Sequence, residues 1–139
     1  METAPPRRQS DRGFPFRAIL AVMIIAGLLA GIAIPLYLNQ KKQSHDTATK
    51  SDVNAIADAI VGYIASNQSL PTLSVTGTSV MVAGELSGEL APGVVLGPLT
   101  GTTVDDWCID ATHPNGDRAK TQGYKFTQTE GKVEEGKCT

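Results

Sequence analysis

The chain has 139 residues, which is enough for one domain but hardly enough for two. Its formal net charge of −2 lacks the basic surplus typical of nucleic-acid binding, so no specific nucleic acid is predicted as a partner. The chain is strongly segmented: a short polar stretch precedes an uncharged apolar block, and a mixed polar remainder follows.

The apolar block, residues 18–37, predicts a membrane helix. It contains no charged residue and has about the 20 residues that an α-helix needs to cross a bilayer. The preceding segment, residues 1–13, is a basic leader, and arginines outnumber the lysines that follow the block. Because cytoplasmic flanks carry the excess of positive charge, we expect the remainder of the chain outside the cytoplasm. A secretory signal peptide would have a shorter apolar region and a small-residue cleavage site after it, and this chain has neither. We therefore expect the block to be retained.

Three residues of the block are candidates for helix packing and bending. Gly27 and Gly31 form a G-x-x-x-G pair, a spacing that lets helix backbones approach closely in lipid. Glycine is also common in membrane helices, so the pair alone is weak evidence. Pro35 is expected to kink the helix and to free a backbone carbonyl.

Helical signals continue beyond Pro35. A polar stretch without breakers leads to Ser51, which could cap a new helix or lie within a longer one. Residues 67–71 should end the element. We therefore expect one long helix in two halves: 14–37 is apolar on all sides, and 38–67 has a single apolar face that must pack on the rest of the chain. That face consists of Val53, Ile56, Ala57, Ile60, Val61 and Ile64.

Residues 68–139 predict a small β-rich head, because they combine short apolar runs with many Gly, Thr, Val and Ser residues. The expected fold class is α+β, with the long N-terminal helix packed on a small antiparallel sheet. Trp107, Ile109 and Ala111 should share one face of a strand, as should Tyr124 and Phe126. The candidate strands are residues 79–83, 94–96, 104–111 and 124–127.

The two cysteines, Cys108 and Cys138, predict a disulfide, because an extracytoplasmic compartment is oxidising. Two unrelated buried thiols are the alternative. A metal site would need more ligands, and the two histidines, His45 and His113, lie far from the cysteines in sequence. Both histidines are expected on the surface.

No catalytic residue, cofactor or metal site is predicted, and an enzyme is the least favoured class. The carboxylates of Asp105, Asp106, Asp110 and Asp117 could supply oxygen ligands to calcium. Their spacing is not that of an EF-hand loop, so a solvated acidic edge is favoured. Lysines 41, 42 and 50 are interpreted as a solvated helix face.

Residues 13–37 resemble the start of a type IV prepilin. In that family a short basic leader ends in Gly and is cut by a prepilin peptidase, and the new N-terminal residue, usually Phe, is N-methylated. Gly13 and Phe14 match these two positions. Gly27 and Pro35 fall where family members carry residues that loosen the helix, and Tyr37 also matches.

The resemblance has two departures at the first turn of the mature chain. Family members usually have Thr after Phe and Glu at the fifth mature position, where this chain has Pro15 and Ala18. In the family that Glu is thought to pair with the N-terminal amine of a neighbouring subunit. Arg17 adds a cation to the same turn.

The resemblance implies a type IV pilin fold and a structural role. The chain would be a type IV pilus subunit, cleaved after Gly13 and assembled through its hydrophobic helix into an extracellular filament for adhesion, motility or DNA uptake. Its partners would be further copies of itself, the inner membrane, the pilus assembly machinery and prepilin peptidase. The precursor would lie in the cytoplasmic membrane and the mature form on the cell surface.

Two alternatives stay open. One is a pseudopilin of a type II secretion system, and the other is an uncleaved single-pass membrane protein whose outer domain binds a partner. The end of the chain resembles, more loosely, the C-terminal region of some Gram-positive pilins. That similarity rests on Trp107-Cys108, Tyr124-Lys125-Phe126 and Cys138.

Overall fold

The computed structural model describes residues 15–139, apart from the side chains of Ile32 and Ala33. Its first element is one helix, α1, Phe16–Asn67, which begins directly after Pro15 and continues through Pro35. Ser51 therefore lies within the helix and does not cap a new one. Gln68 ends α1 with a left-handed φ of 53°, and its N–H donates to the Ile64 carbonyl oxygen at 2.8 Å.

The chain divides within α1 into two compact units, Met1–Leu38 and Asn39–Thr139. In the first unit, every side chain that the structure describes is exposed. In the second unit, α1 packs on two antiparallel sheets, in agreement with the predicted α+β class. The layout of one long apolar N-terminal helix with antiparallel sheets matches the type IV pilin fold.

The first sheet has the order β1-β2-β3, and the second is built around its longest strand, β6. Strand β7 occupies one edge of β6, and β4 and β5 pair with the two ends of the other edge; β8 pairs with β7. The elements after α1 are β1 Leu73–Thr76, β2 Ser79–Val82, β3 Glu85–Glu89, β4 Val95–Leu96, β5 Thr100–Thr103, β6 Asp106–Thr112, α2 Arg118–Thr121, β7 Tyr124–Thr127 and β8 Lys132–Glu135.

The sequence predicted four strands, and these correspond to β2, β4, β6 and β7. It predicted neither the division into two sheets nor the other four strands. Strands β1, β3 and β5 are exposed over most of their length, and β8 is at most half-buried. Such strands lack the apolar alternation on which a prediction from periodicity depends.

The core lies where the apolar face of α1 meets both sheets, and Val80 and Val82 of β2 are buried in it. Alternate residues of β6 and β7 point inward, and Trp107 and Phe126 stack with ring centroids 5.4 Å apart. Val61 departs from the predicted face, because its side chain is 40% exposed. The residues of α1 buried in this core are Val53, Ile56, Ala57 and Ile60.

Candidate assembly segment and head

Residues 16–38 of α1, which we call the assembly segment, expose mostly apolar side chains wherever the structure describes them. In the described part of the chain, α1 is the one helix that is long and apolar enough to cross a membrane. Water solvates such a surface poorly, at roughly 25 cal/mol per Å² of apolar area, so lipid or other protein must cover it. Its large exposed apolar residues are Phe16, Ile19, Leu20, Val22, Met23, Ile24, Ile25, Leu28, Leu29, Ile34, Leu36, Tyr37 and Leu38.

The two glycines of the assembly segment are open to their surroundings. A Cβ built on Gly27 or Gly31 meets no other atom of the described chain within 4 Å, apart from the local helix backbone. Gly31 is also four residues before Pro35, and proline has no N–H, so the Gly31 carbonyl oxygen lacks its usual helical donor. Packing within one described copy thus gives no reason for a small residue at either position.

The predicted cleavage and methylation positions, Gly13 and Phe14, lie outside the described residues, as does the leader 1–13. The first described turn carries Arg17, the single charged residue between 15 and 38. Ala18 donates its backbone N–H to the Pro15 carbonyl oxygen at 2.7 Å and offers no side-chain carboxylate. The start of α1 is therefore cationic.

At the other end of the chain, Cys108 and Cys138 form a disulfide, with Cα atoms 5.9 Å apart. Asp110, two residues along β6 from Cys108, accepts a hydrogen bond from the backbone N–H of Cys138 at 3.1 Å. Its carbonyl oxygen also accepts from Gly97 at 2.7 Å. A side chain at position 97 would meet the Asp110 carboxylate, so glycine there leaves that carboxylate in place. The C-terminal segment is thus held to β6 by one covalent and one polar contact.

A buried carboxylate links α1 to the short helix α2. Asp46 is 9% exposed, and its two oxygens accept the backbone N–H groups of Arg118 at 3.1 Å and Ala119 at 2.9 Å. Sequence reasoning missed this residue, because an acid in a polar helical stretch gives no sign of burial.

The prediction of a surface position for His113 was wrong. Its side chain is 1% exposed and stacks on the half-buried His45, with ring centroids 4.2 Å apart. Nδ1 of His113 accepts the N–H of Asn115 at 3.0 Å, so Nε2 carries the proton and donates to the Pro92 carbonyl oxygen at 3.0 Å. Both ring nitrogens are satisfied by loop backbone, which lets a polar ring take a core position.

Two side chains near α2, Tyr124 and Arg118, have raised pKa values, the first through burial and the second through an ion pair. Burial raises the pKa of the Tyr124 hydroxyl above its ordinary value, and the neighbouring Asp46 carboxylate raises it further. At the surface, the Arg118 guanidinium donates to both carboxylate oxygens of Glu135, at 2.7 and 2.8 Å, and this hydrogen bonding raises the pKa of Arg118.

The four aspartates considered as calcium ligands have separate surroundings. Asp110 accepts from Cys138, Asp117 precedes α2, and Asp105 and Asp106 are exposed at the turn into β6. Within residues 15–139 as described, no three His, Cys, Asp or Glu side chains form a group that could hold a metal ion.

The chain is similar to proteins of a bacterial secretion system. Over 66 residues it is 35% identical to the type II secretion system core protein G of Klebsiella michiganensis and 32% identical to the protein of that name from Pseudomonas aeruginosa. Each match covers 48% of this chain and 46% of the relative, so the chain spans about half the length of the curated relatives it matches.

No protein-family model matches the chain, and no solved structure matches it significantly. The similarity to core protein G is consistent with the resemblance of residues 13–37 to prepilins. The long apolar N-terminal helix on antiparallel sheets has the architecture of the same family. In sequence and in fold, the chain is therefore type IV pilin-like.

Proposed function

We propose that the chain is a structural subunit of a type IV pilus-like filament, assembled through residues 16–38. The observation that carries the proposal is the exposure of every described side chain of this segment, in a chain whose second unit, Asn39–Thr139, has its own packed core. Lipid would cover this surface in the precursor, and the same segments of other copies would cover it in the filament. Burial of apolar area among helices would then be the driving force of assembly.

The proposal includes processing and location. Prepilin peptidase would cut between Gly13 and Phe14, and Phe14 would be N-methylated. The precursor would lie in the cytoplasmic membrane with the head outside, and the pilus assembly machinery would extract it. Gly27, Gly31 and Pro35 would let neighbouring helices approach closely and let the helix adapt locally. The role would be structural, which the similarity to a core protein of a secretion system supports.

Mass spectrometry of the chain from sheared surface filaments and from membranes tests this processing. We expect the assembled chain to begin at N-methylated Phe14. Gly13→Ala should leave the precursor uncut. Gly62→Ala is the matched control, because Gly62 is an exposed helical residue with no atom near its Cβ, and it should mature normally. An assembled chain that still carried Met1 would refute the proposal.

A second candidate is a pseudopilin of a type II secretion system, favoured by the name of the two relatives. The assembly segment would act in the same way, but the filament would serve protein export. Deleting the chain in its native cells separates the two roles. A pilus subunit predicts loss of surface filaments with normal export, whereas a pseudopilin predicts accumulation of exported proteins inside the cell envelope.

A further inference from the structure

Charge is segregated along the second unit, Asn39–Thr139. From Ser51 to Asp117 the sequence contains no lysine or arginine, yet it contains eight acidic residues. The lysines of this unit that precede the stretch are Lys41, Lys42 and Lys50, and its remaining basic residues begin at Arg118. The acidic residues are Asp52, Asp58, Glu85, Glu89, Asp105, Asp106, Asp110 and Asp117.

Part of this acidic stretch lines an open groove between α1 and β3, which we call the acidic groove. A recess of about 290 Å³ lies between Ala59–Asn67 of α1 and the start of β3, and a smaller one of about 30 Å³ adjoins it near Asp52. The carboxyl-bearing residues in their walls are Asp52, Glu85 and Glu89, and neither recess has a basic residue in its wall.

The acidic groove is open to a partner. Strand β3 pairs with β2 alone, so its other edge has no strand partner among the described residues, and all five of its residues are exposed. Glutamates at a free edge discourage indiscriminate strand pairing. Asp52 is fixed, because it accepts the Ala91 N–H at 2.8 Å. Glu85 and Glu89 form no salt bridge within residues 15–139 as described, so both can pair with a cation of another molecule.

The complementary surface lies earlier on α1. Lys41 and Lys42, which we call the lysine segment, are exposed and belong to the same unit as the acidic groove. The salt bridges of residues 15–139 as described join Arg118 to Glu135 and Lys132 to Glu134, and neither involves the lysine segment. One copy thus carries unpaired charges of both signs on two different surfaces.

We infer that in the filament the lysine segment of one copy lies against the acidic groove of a neighbouring copy. The inference rests on the proposed filament function. A second copy is the favoured occupant, because this chain supplies both complementary surfaces. The contact is heterologous, since the two surfaces differ, and heterologous contacts repeat into open filaments or rings. Exposed ion pairs are individually weak and screened by salt, so this contact sets the register of the heads, and the assembly segment supplies the driving force.

Charge exchange tests the contact in filaments of the full chain. The double variant Glu85→Lys with Glu89→Lys should reduce filament yield roughly tenfold, because two attractive contacts become repulsive. Lys41→Glu with Lys42→Glu should cause a similar loss. The chain that carries all four changes should recover most of the wild-type yield, since residues 41 and 42 again face residues 85 and 89 with opposite charges.

The matched control changes two exposed carboxylates outside the acidic groove, Asp105→Lys with Glu130→Lys. It makes the same change in net charge and should leave the yield unchanged. If it lowers the yield as much as the groove variant does, net charge and not this contact controls assembly, and the inference is wrong.

Zero-length cross-linking of wild-type filaments gives a readout that needs no variant. Filaments grown from mixed light and heavy isotope-labelled chains should yield light–heavy links between the lysine segment and Glu85 or Glu89. Without wild-type filaments, the proposed function and this inference both fail. Filaments that form normally, lack these links and tolerate the Glu85 and Glu89 reversals would overturn the inference alone.

Discussion

Replacing Asp46 by alanine should show how much the hydrogen bonds between α1 and α2 contribute to the free energy of unfolding. The two carboxylate oxygens of Asp46 accept backbone N–H groups of Ala119, which is buried, and of Arg118, at the start of α2. The variant would leave both donors without their acceptor. Asp46→Asn would keep one acceptor oxygen, but its amide N–H₂ would face the second donor.

The cost follows from the burial of each donor. An unsatisfied buried N–H costs about 1–3 kcal/mol, which applies to Ala119, and the partly buried N–H of Arg118 adds about 0.5–1.5 kcal/mol. We expect Asp46→Ala to lower the free energy of unfolding by roughly 2–4 kcal/mol and Asp46→Asn by roughly 1–2 kcal/mol.

Urea unfolding of the full chain in detergent measures this loss. Trp107 is the only tryptophan and is 1% exposed, so its fluorescence reports on the core. Asp58→Ala is the matched control, because Asp58 is an exposed carboxylate of the same helix, and we expect a change within about 0.5 kcal/mol. If Asp46→Ala destabilised the chain no more than Asp58→Ala does, our description of Asp46 as a structural link would be wrong.

Three further predictions concern the head. Replacing Cys108 and Cys138 together by serine should cost about 3–4 kcal/mol for a loop of 30 residues; the same urea titration measures it, and an unchanged midpoint would contradict it. Because burial raises the pKa of Tyr124, its neutral hydroxyl stabilises the fold below about pH 10, and this contribution is lost as pH rises through the folded pKa. Tyr124→Phe should therefore lose less stability than the wild type between pH 9 and 11, and parallel profiles would refute this. Gly101→Ala should cost more than about 2 kcal/mol, since its Cβ would meet the backbone of β6 at a φ of 123°, whereas Gly77→Ala, in open space at a φ of 64°, should cost about 1 kcal/mol. Equal losses for these two glycines would contradict the argument.

Elements with a strong hydrophobic period were predictable from the sequence. The apolar block and the face that includes Ile56 predicted α1, and the alternation around Trp107 and Phe126 predicted β6 and β7. In each case burial of one face dictates the residue pattern, so the pattern reveals the element.

The remaining features depend on contacts that the sequence pattern does not encode. Asp46 meets Arg118 across 72 residues of chain, and His113 is buried because Pro92 and Asn115 supply backbone partners for its ring. Strand β3 is exposed along its whole length, so pairing with β2 and not burial defines it. Local periodicity carries no information on such partners.

Electron cryo-microscopy of filaments sheared from cells that produce this chain tests the central claim most directly. We predict a helical reconstruction in which residues 16–38 of neighbouring copies pack against one another in the filament core, with the heads outside. A reconstruction with these segments outside the core would contradict the account, as would the recovery of all of the chain from membranes as an uncleaved monomer.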